Sequence, residues 1–441
     1  MGWNTLKVFR DRNAGLYLGG IVVSGFGDTA MSLAAGIWVK TLTGSSSLAA
    51  LVGFCVWLPT FAGPVIGTVA DRVRRRPLLV ATNLVLAAVM TAPLFVRSED
   101  QVWLLFVVLT LVGVGMVLTD AAETALVAAA VPDELRGDFN GLVLTAMEST
   151  KLLAPLAGAS LFIAFGGPTV ALLDAATFAL AAVAFRLIRV REAVPAARVG
   201  RAWTAGTVEG AHYLRHHPTL RPLVIASGTT MTLAGISSTA TYALLDAGLH
   251  RSPAFAGVLT SVQGFGSVVS GLAAGALMRR MSVRTFSTAG LVLFALGVLA
   301  RATPWTPVVL GSSLAIGLGL PCPLIAALTA VQKHAPSELL GRVAATAGTL
   351  MYAPTGIALL LGTGMVAGLD YRVQLLAAGM SGLAAAAVLT VTGRTPRTKA
   401  PAAPGPRTKH RKPESPPPPP APAPVAGRRS PVAGRRSPVA G

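Results

Sequence analysis

Apolar runs of roughly twenty residues, separated by short clumps of charge, fill most of the chain. Each is long enough to cross a ~30 Å hydrocarbon core as a helix rising 1.5 Å per residue. In lipid every backbone N–H must be satisfied within its own segment or within a closed barrel. The alternation that a barrel strand needs is absent here, so the runs are read as helices. Spans are expected near 15–39, 47–69, 78–96, 102–127, 141–165, 168–186, 223–245, 254–278, 286–303, 307–330, 343–367 and 373–392. The first lacks a small-residue cleavage site and is read as an uncleaved span.

An internal repeat divides these runs. Val131-Pro132-Asp133-Glu134-Leu135-Arg136-Gly137 recurs as Ala335-Pro336-Ser337-Glu338-Leu339-Leu340-Gly341. Gly113-Val114-Gly115 in the preceding run recurs at the same offset as Gly317-Leu318-Gly319. Gly63 and Gly67 correspond in the same order to Gly271 and Gly275. The fold class expected is therefore all-α integral membrane, with twelve transmembrane helices in two pseudo-symmetric six-helix bundles. Residues 1–186 form the N-terminal bundle, 187–222 a connector with a surface helix, and 223–393 the C-terminal bundle.

Charge sets the orientation. Only 12% of residues are charged, about half the usual share in a soluble domain. Arginine and lysine gather at Lys7 to Arg12, Arg72 to Arg76, Arg186 to Arg201, Arg279 to Arg284, and Lys333 with Arg342. All of these fall on one side of the membrane, which the positive-inside rule makes cytoplasmic. Both termini are then cytoplasmic. The other side carries isolated charges: Lys40, Arg97, Arg251, Arg301 and Arg372.

Residues 394–441 are Pro-rich and basic and cannot bury a core, so disorder is expected. This tail holds about half of the net charge of +19, so the basic balance does not indicate a nucleic-acid partner; its plain partner is anionic membrane lipid. Truncation after Gly393 should leave folding and transport largely intact, and loss of monodisperse protein or of flux would show a structural tail.

Ionisable residues inside spans are costly and mark candidate function. Asp28 sits near the middle of span 1 with no charge close by on its own helix, and desolvation there favours the neutral carboxyl. Glu148 and Lys151 in span 5 are spaced to neutralise each other. Asp120 and Glu123 lie toward the cytoplasmic end of span 4, and Asp174 is expected in the outer, water-accessible part of span 6. Asp28, Glu148, Lys151, Glu123 and Asp120 are the proton-coupling candidates, with Asp28 first. Spans 7 and 8 offer Thr230, Ser237, Ser238, Thr241 and Gln263 as cavity-lining candidates, although membrane hydroxyls commonly bond only their own helix carbonyls. Pro321-Cys322-Pro323 should break or kink span 10. No cofactor or metal is expected. Cys55 and Cys322 sit in separate apolar runs, and His212 and His216, one turn apart, lack further ligands.

Gly67-Thr68-Val69-Ala70-Asp71-Arg72-Val73-Arg74-Arg75-Arg76-Pro77 closes span 2. It resembles the signature loop between spans 2 and 3 of the major facilitator superfamily, with Arg74 where a glycine is usual. The form Asp-Arg-x-x-Arg-Arg is similar to the branch of macrolide and siderophore exporters. So are Gly27-Asp28, Trp38 and Thr43-Gly44, Val131 to Leu135, and the run Glu209 to Pro218. The resemblance covers residues ~15–392. It implies that Gly67, Asp71, Arg72, Arg75 and Arg76 belong to a cytoplasmic latch between the halves. Ala154-Pro155-Leu156-Ala157-Gly158 is similar to an antiporter element, and reads equally well as a packing seam with a kink.

The function expected is proton-coupled efflux of a small amphiphilic compound from the cell by alternating access, the partners being that small-molecule substrate, protons and membrane lipid. A nutrient facilitator or importer of the same fold, or a transport-inactive membrane sensor or scaffold, are the alternatives. An enzyme is not expected, since no HExxH pair occurs, and no GxxxxGK[ST] loop suggests ATP as the driver.

Overall fold

The computed structural model describes residues 8, 10–63, 65–66, 73–190, 201–336 and 339–391. Span 1 is Arg12–Thr43, span 2 Ser46–Ala62, span 3 Arg75–Phe95, span 4 Val102–Ala130, span 5 Asp133–Phe165 and span 6 Gly167–Leu187. A connector helix follows at Arg201–His216. Span 7 is Leu220–Gly248, span 8 Phe255–Arg280, span 9 Val283–Ala300, span 10 Thr306–His334, span 11 Leu340–Gly368 and span 12 Tyr371–Val391. Among the described residues ten helices are long and apolar enough to cross a membrane. The shorter Ser46–Ala62 and the 33-residue Asp133–Phe165 complete twelve.

Span 5 starts eight residues before hydropathy places it, because its first turns, Asp133 to Asn140, are polar helix beyond the apolar run. Capping fixes other ends: the Asp11 carboxylate accepts from the Ala14 amide at 2.8 Å, and Gly44 closes span 1 at φ 67°. Gly166, at φ 78°, is the whole linker between spans 5 and 6.

The packing repeats with the sequence. Span 1 packs on spans 5 and 6, span 3 on spans 4 and 6, and span 2 on span 4. Adding six to each number gives the second half: 7 on 11 and 12, 9 on 10 and 12, 8 on 10. The repeated glycines explain why. A Cβ on Gly113 would lie 2.3 Å from the Val56 carbonyl of span 2, and one on Gly317 would lie 2.0 Å from the Gln263 carbonyl of span 8. Likewise Gly115 admits Leu86 of span 3, and Gly319 admits the Gly290 carbonyl of span 9. Lipid gives no hydrophobic drive for helix association, so such close backbone approach is what holds membrane helices together.

The two halves touch through spans 2 with 11 and 5 with 8, pairs that the same operation exchanges. One continuous core lies away from the arginine-rich face and draws on both halves: Met31, Ala35, Trp38 and Val52 with Tyr242, Leu245 and Leu259. Toward the arginine-rich face the cores are separate. Tyr17, Phe139 and Phe185, in edge contacts of 5.7 and 5.6 Å, serve the first half. Leu220, Phe286, Ala327 and Met351 serve the second. Among the described residues the halves share one core at one end, the joined end, and keep separate cores at the other, the parted end.

Proline shapes the second half as expected at span 10, where the helix breaks between Gly319 and Pro321. Pro321 has no N–H for the Gly317 carbonyl, and the Ser267 hydroxyl of span 8 donates to it instead at 3.2 Å. Span 11 breaks similarly before Pro354. Span 5 passes through Pro155 unbroken, with Ala154, Pro155 and Gly158 buried and Gly158 against the Ala30 carbonyl of span 1. In this structure the segment is a packing seam.

The connector helix docks on the second half. Glu209 pairs with Arg342, and the Tyr213 hydroxyl donates to the His334 carbonyl at 2.8 Å. His216 Nδ1 lies 2.8 Å from the His212 carbonyl, so this ring is engaged within its own helix. His217 Nδ1 accepts from the Thr219 and Leu220 amides, both at 3.3 Å, and its ring lies 5.4 Å from that of His334. Burial and the neighbouring His334 push the pKa of His217 below the usual histidine value. The docked form therefore binds fewer protons than an undocked one, so docking is stable above about pH 6.5 and weakens as pH falls below it. Amide exchange over 209–222 should accelerate on acidification. His217→Asn, which can still cap span 7, should flatten that response; an unchanged pH dependence would contradict it.

Candidate functional site

At the joined end, spans 1 and 7 cross the line between halves. Span 7 loses its regular helix at Thr239–Ala240 and winds as π-helix over Leu244–Gly248. The buried Gln374 amide of span 12 bridges this break, donating to the Ile236 carbonyl at 2.7 Å and Thr239 Oγ1 at 2.8 Å. Beyond the break the Tyr242 hydroxyl seats on Gly36 of span 1, where a Cβ would lie 2.2 Å away. Lys40 Nζ pairs with Asp246 Oδ2 at 2.6 Å and reaches the Gly44 carbonyl at 2.5 Å. Lys40 is thus not an isolated loop charge but is 7% exposed, in an ion pair between halves. Arg301 is also buried, donating to Ser313 Oγ at 2.7 Å.

Toward the arginine-rich face, a cavity of about 330 Å³ opens between spans 7 and 11. Val224, Ile225, Leu233 and Leu350 give it apolar walls, with Thr229 and Thr232 among them, the Thr232 hydroxyl donating to the Gly228 carbonyl at 2.8 Å. Pro354, on the same wall, has no N–H for the Leu350 carbonyl, which lies against Gly228 of span 7. Thr230 and Ser237 do not line this cavity: both are buried, and their hydroxyls bond the Ala226 and Ala234 carbonyls at 2.7 and 3.2 Å. Ser238 is exposed and bonds the Gly235 carbonyl at 2.8 Å, while Thr241 and Gln263 are partly exposed. The helical period explains the difference, since Thr229 and Thr232 share one face and Thr230 is turned away.

The acids gather elsewhere. Asp28 is partly exposed, with Oδ1 buried and without a hydrogen-bond partner. Asp174 of span 6 is 1% exposed, which overturns the water-accessible position expected for it. It lies against span 1 because Gly27 leaves room: a Cβ there would be 2.3 Å from Asp174 Oδ1 and 2.3 Å from Thr177 Oγ1. Thr177 Oγ1 lies 3.0 Å from Asp174 Oδ1, while Asp174 Oδ2 is buried and unpartnered. Asp120 is exposed nine residues, two and a half turns, from the exposed Leu111, so it occupies the opposite face of span 4. Lys151 is exposed, with its backbone carbonyl against Gly264 of span 8. The side chains of Glu123 and Glu148 lie outside the described residues, as do Gly67, Asp71 and Arg72. Arg75 opens span 3, partly exposed, and Arg76 donates to the Phe185 and Arg186 carbonyls at the end of span 6.

Sequence reasoning misjudged the surroundings of Asp174 and missed the Lys40–Asp246 pair. The signal for the second was present: the two residues end spans 1 and 7, which the repeat relates, and they carry opposite charge.

A family model described as Major Facilitator Superfamily matches residues 17–244 and again 223–437, one match per repeat. Solved structures agree in fold. A nucleoside transporter, NupG, is 12% identical with a TM-score of 0.66, covering 86% of this chain and 99% of that one. A bacterial homologue of the iron transporter ferroportin, in an inward-facing state, is 18% identical at 0.67, covering 88% and 99%. A peptide transporter POT bound to alafosfalin is 16% identical at 0.68, covering 86% and 94%. A search of curated proteins by sequence finds no match. The paired family match and the repeated packing agree: this chain belongs to the Major Facilitator Superfamily, and it is a membrane transporter rather than an enzyme.

Proposed function

We propose that the protein exports a small amphiphilic compound across the cell membrane in exchange for protons, with the arginine-rich face and both termini in the cytoplasm. The observation that carries this reading is Asp28, a carboxyl within a membrane span with a buried, unpartnered oxygen. An unpaired charge there is costly, so the group favours proton uptake and release over permanent ionisation. The cavity supports the substrate class: apolar walls with two threonines suit a compound that is mostly apolar with a few polar groups. The branch of macrolide and siderophore exporters remains the preferred affiliation on the residues that resemble it. A growth-inhibition panel in a pump-deficient host, followed by uptake into inverted vesicles on an imposed pH difference, tests the reading. Protection with pH-driven uptake is expected; downhill flux insensitive to the pH difference would favour a facilitator.

The latch belongs to the same proposal. In the sequence Asp71 stands among arginines at the end expected for span 2, and an anion there favours pairing with arginine when the parted end closes. Asp71→Asn should shift the population toward the state open at the arginine-rich face and reduce transport, with insertion unchanged. Unchanged cysteine labelling at that mouth, with normal flux, would refute it.

A further inference from the structure

We propose that Asp28 and Asp174 form one protonation unit, two carboxyls from spans 1 and 6 that together hold a single exchangeable proton. This rests on the reading of Asp28 above and adds a second residue to it. Gly27, the residue before Asp28, is the notch into which the Asp174 carboxyl and Thr177 hydroxyl fit. The two acids are thus held on facing backbones rather than by flexible reach. Among the described residues neither carboxyl belongs to an ion pair.

Each carboxyl keeps one buried oxygen without a partner, Asp28 Oδ1 and Asp174 Oδ2. A buried acid with two satisfied oxygens is structural, but a buried pair with an orphan oxygen each and no counter-cation needs a positive guest. Like charges on facing backbones disfavour ionising together, so the pair is expected to release protons in two separated steps that belong to both residues. Thr177 distinguishes the two acids. Its bond to Asp174 steadies that carboxyl, while Asp28 is the more exposed member of the pair. Asp174 is a positioning residue that sets how tightly the unit holds its proton.

The test is a pH titration of the full chain in proteoliposomes, followed by infrared absorption of protonated carboxyls, with protons as the only ligand. The wild type should lose this absorption in two steps about one pH unit or more apart. Read as the difference from the Asp28→Asn, Asp174→Asn double variant, so that the other carboxyls cancel, each single Asn variant should leave one step, coinciding with neither wild-type step. Thr177→Val keeps both acids and should move the wild-type steps, which covers the case in which an Asn variant does not fold. Single-variant curves that sum to the wild-type curve would overturn the pair. If the titrations are independent but Asp28→Asn still removes pH-driven flux, Asp28 acts alone and the proposed function stands. If they are coupled and no pH-driven flux exists, the pair stands and the proposed function falls.

Discussion

Asp28→Asn should abolish substrate-driven proton release in proteoliposomes while leaving some downhill exchange. Asparagine keeps the size and most hydrogen-bonding capacity of the carboxyl but cannot titrate. A pH difference of one unit is worth about 1.4 kcal/mol per proton, or a tenfold accumulation at one-to-one exchange. The variant should therefore fall from about tenfold accumulation to about equality. Glu148→Gln is the control, because Lys151 three residues on can hold Glu148 ionised. A variant at Asp28 that still accumulates substrate against its gradient would show that coupling resides elsewhere.

The second large effect concerns the joined end. Asp246→Asn should open it, raising the modification of a cysteine placed at Leu33 beside Tyr242. Asp246 is 64% exposed, so its own charge contributes modestly, but its loss leaves the buried Lys40 ammonium with neutral acceptors and no counter-charge from this residue. About 1–2 kcal/mol is expected, a population shift of roughly five- to thirtyfold. Exchanging the charges, Lys40→Asp with Asp246→Lys, should restore protection in part. Equal labelling in all three proteins would mean that the ion pair does not hold this end closed.

Much of the fold was legible because membrane helices write it twice, in apolar length and in repeated glycines. Gly113 and Gly317 could be aligned before either helix was seen, and both turned out to admit a carbonyl from the span two places earlier. Span ends were less legible, since hydropathy ends where lipid does, whereas Asp133 to Asn140 continue as helix beyond it. The site was only partly legible. Asp28 stood out because a charge in an apolar run is costly whatever surrounds it. Asp174 was misjudged because depth along a span says nothing of which neighbour covers it, and the notch at Gly27 is a tertiary feature. Thr229 and Thr232 were inseparable from Thr230 by composition, and helical phase against span 11 chose between them.

Proton-driven alternation between the two ends is tested most directly by measuring both ends in one protein. Spin-label pairs at Thr43 with Leu249, and at Arg12 with Lys333, report the joined and the parted end across the two halves. Between alkaline and acidic pH in proteoliposomes, the two distances should change reciprocally, one lengthening as the other shortens, and Asp28→Asn should hold both fixed. Distances that move together, or a reciprocal change that survives Asp28→Asn, would contradict coupling through this carboxyl.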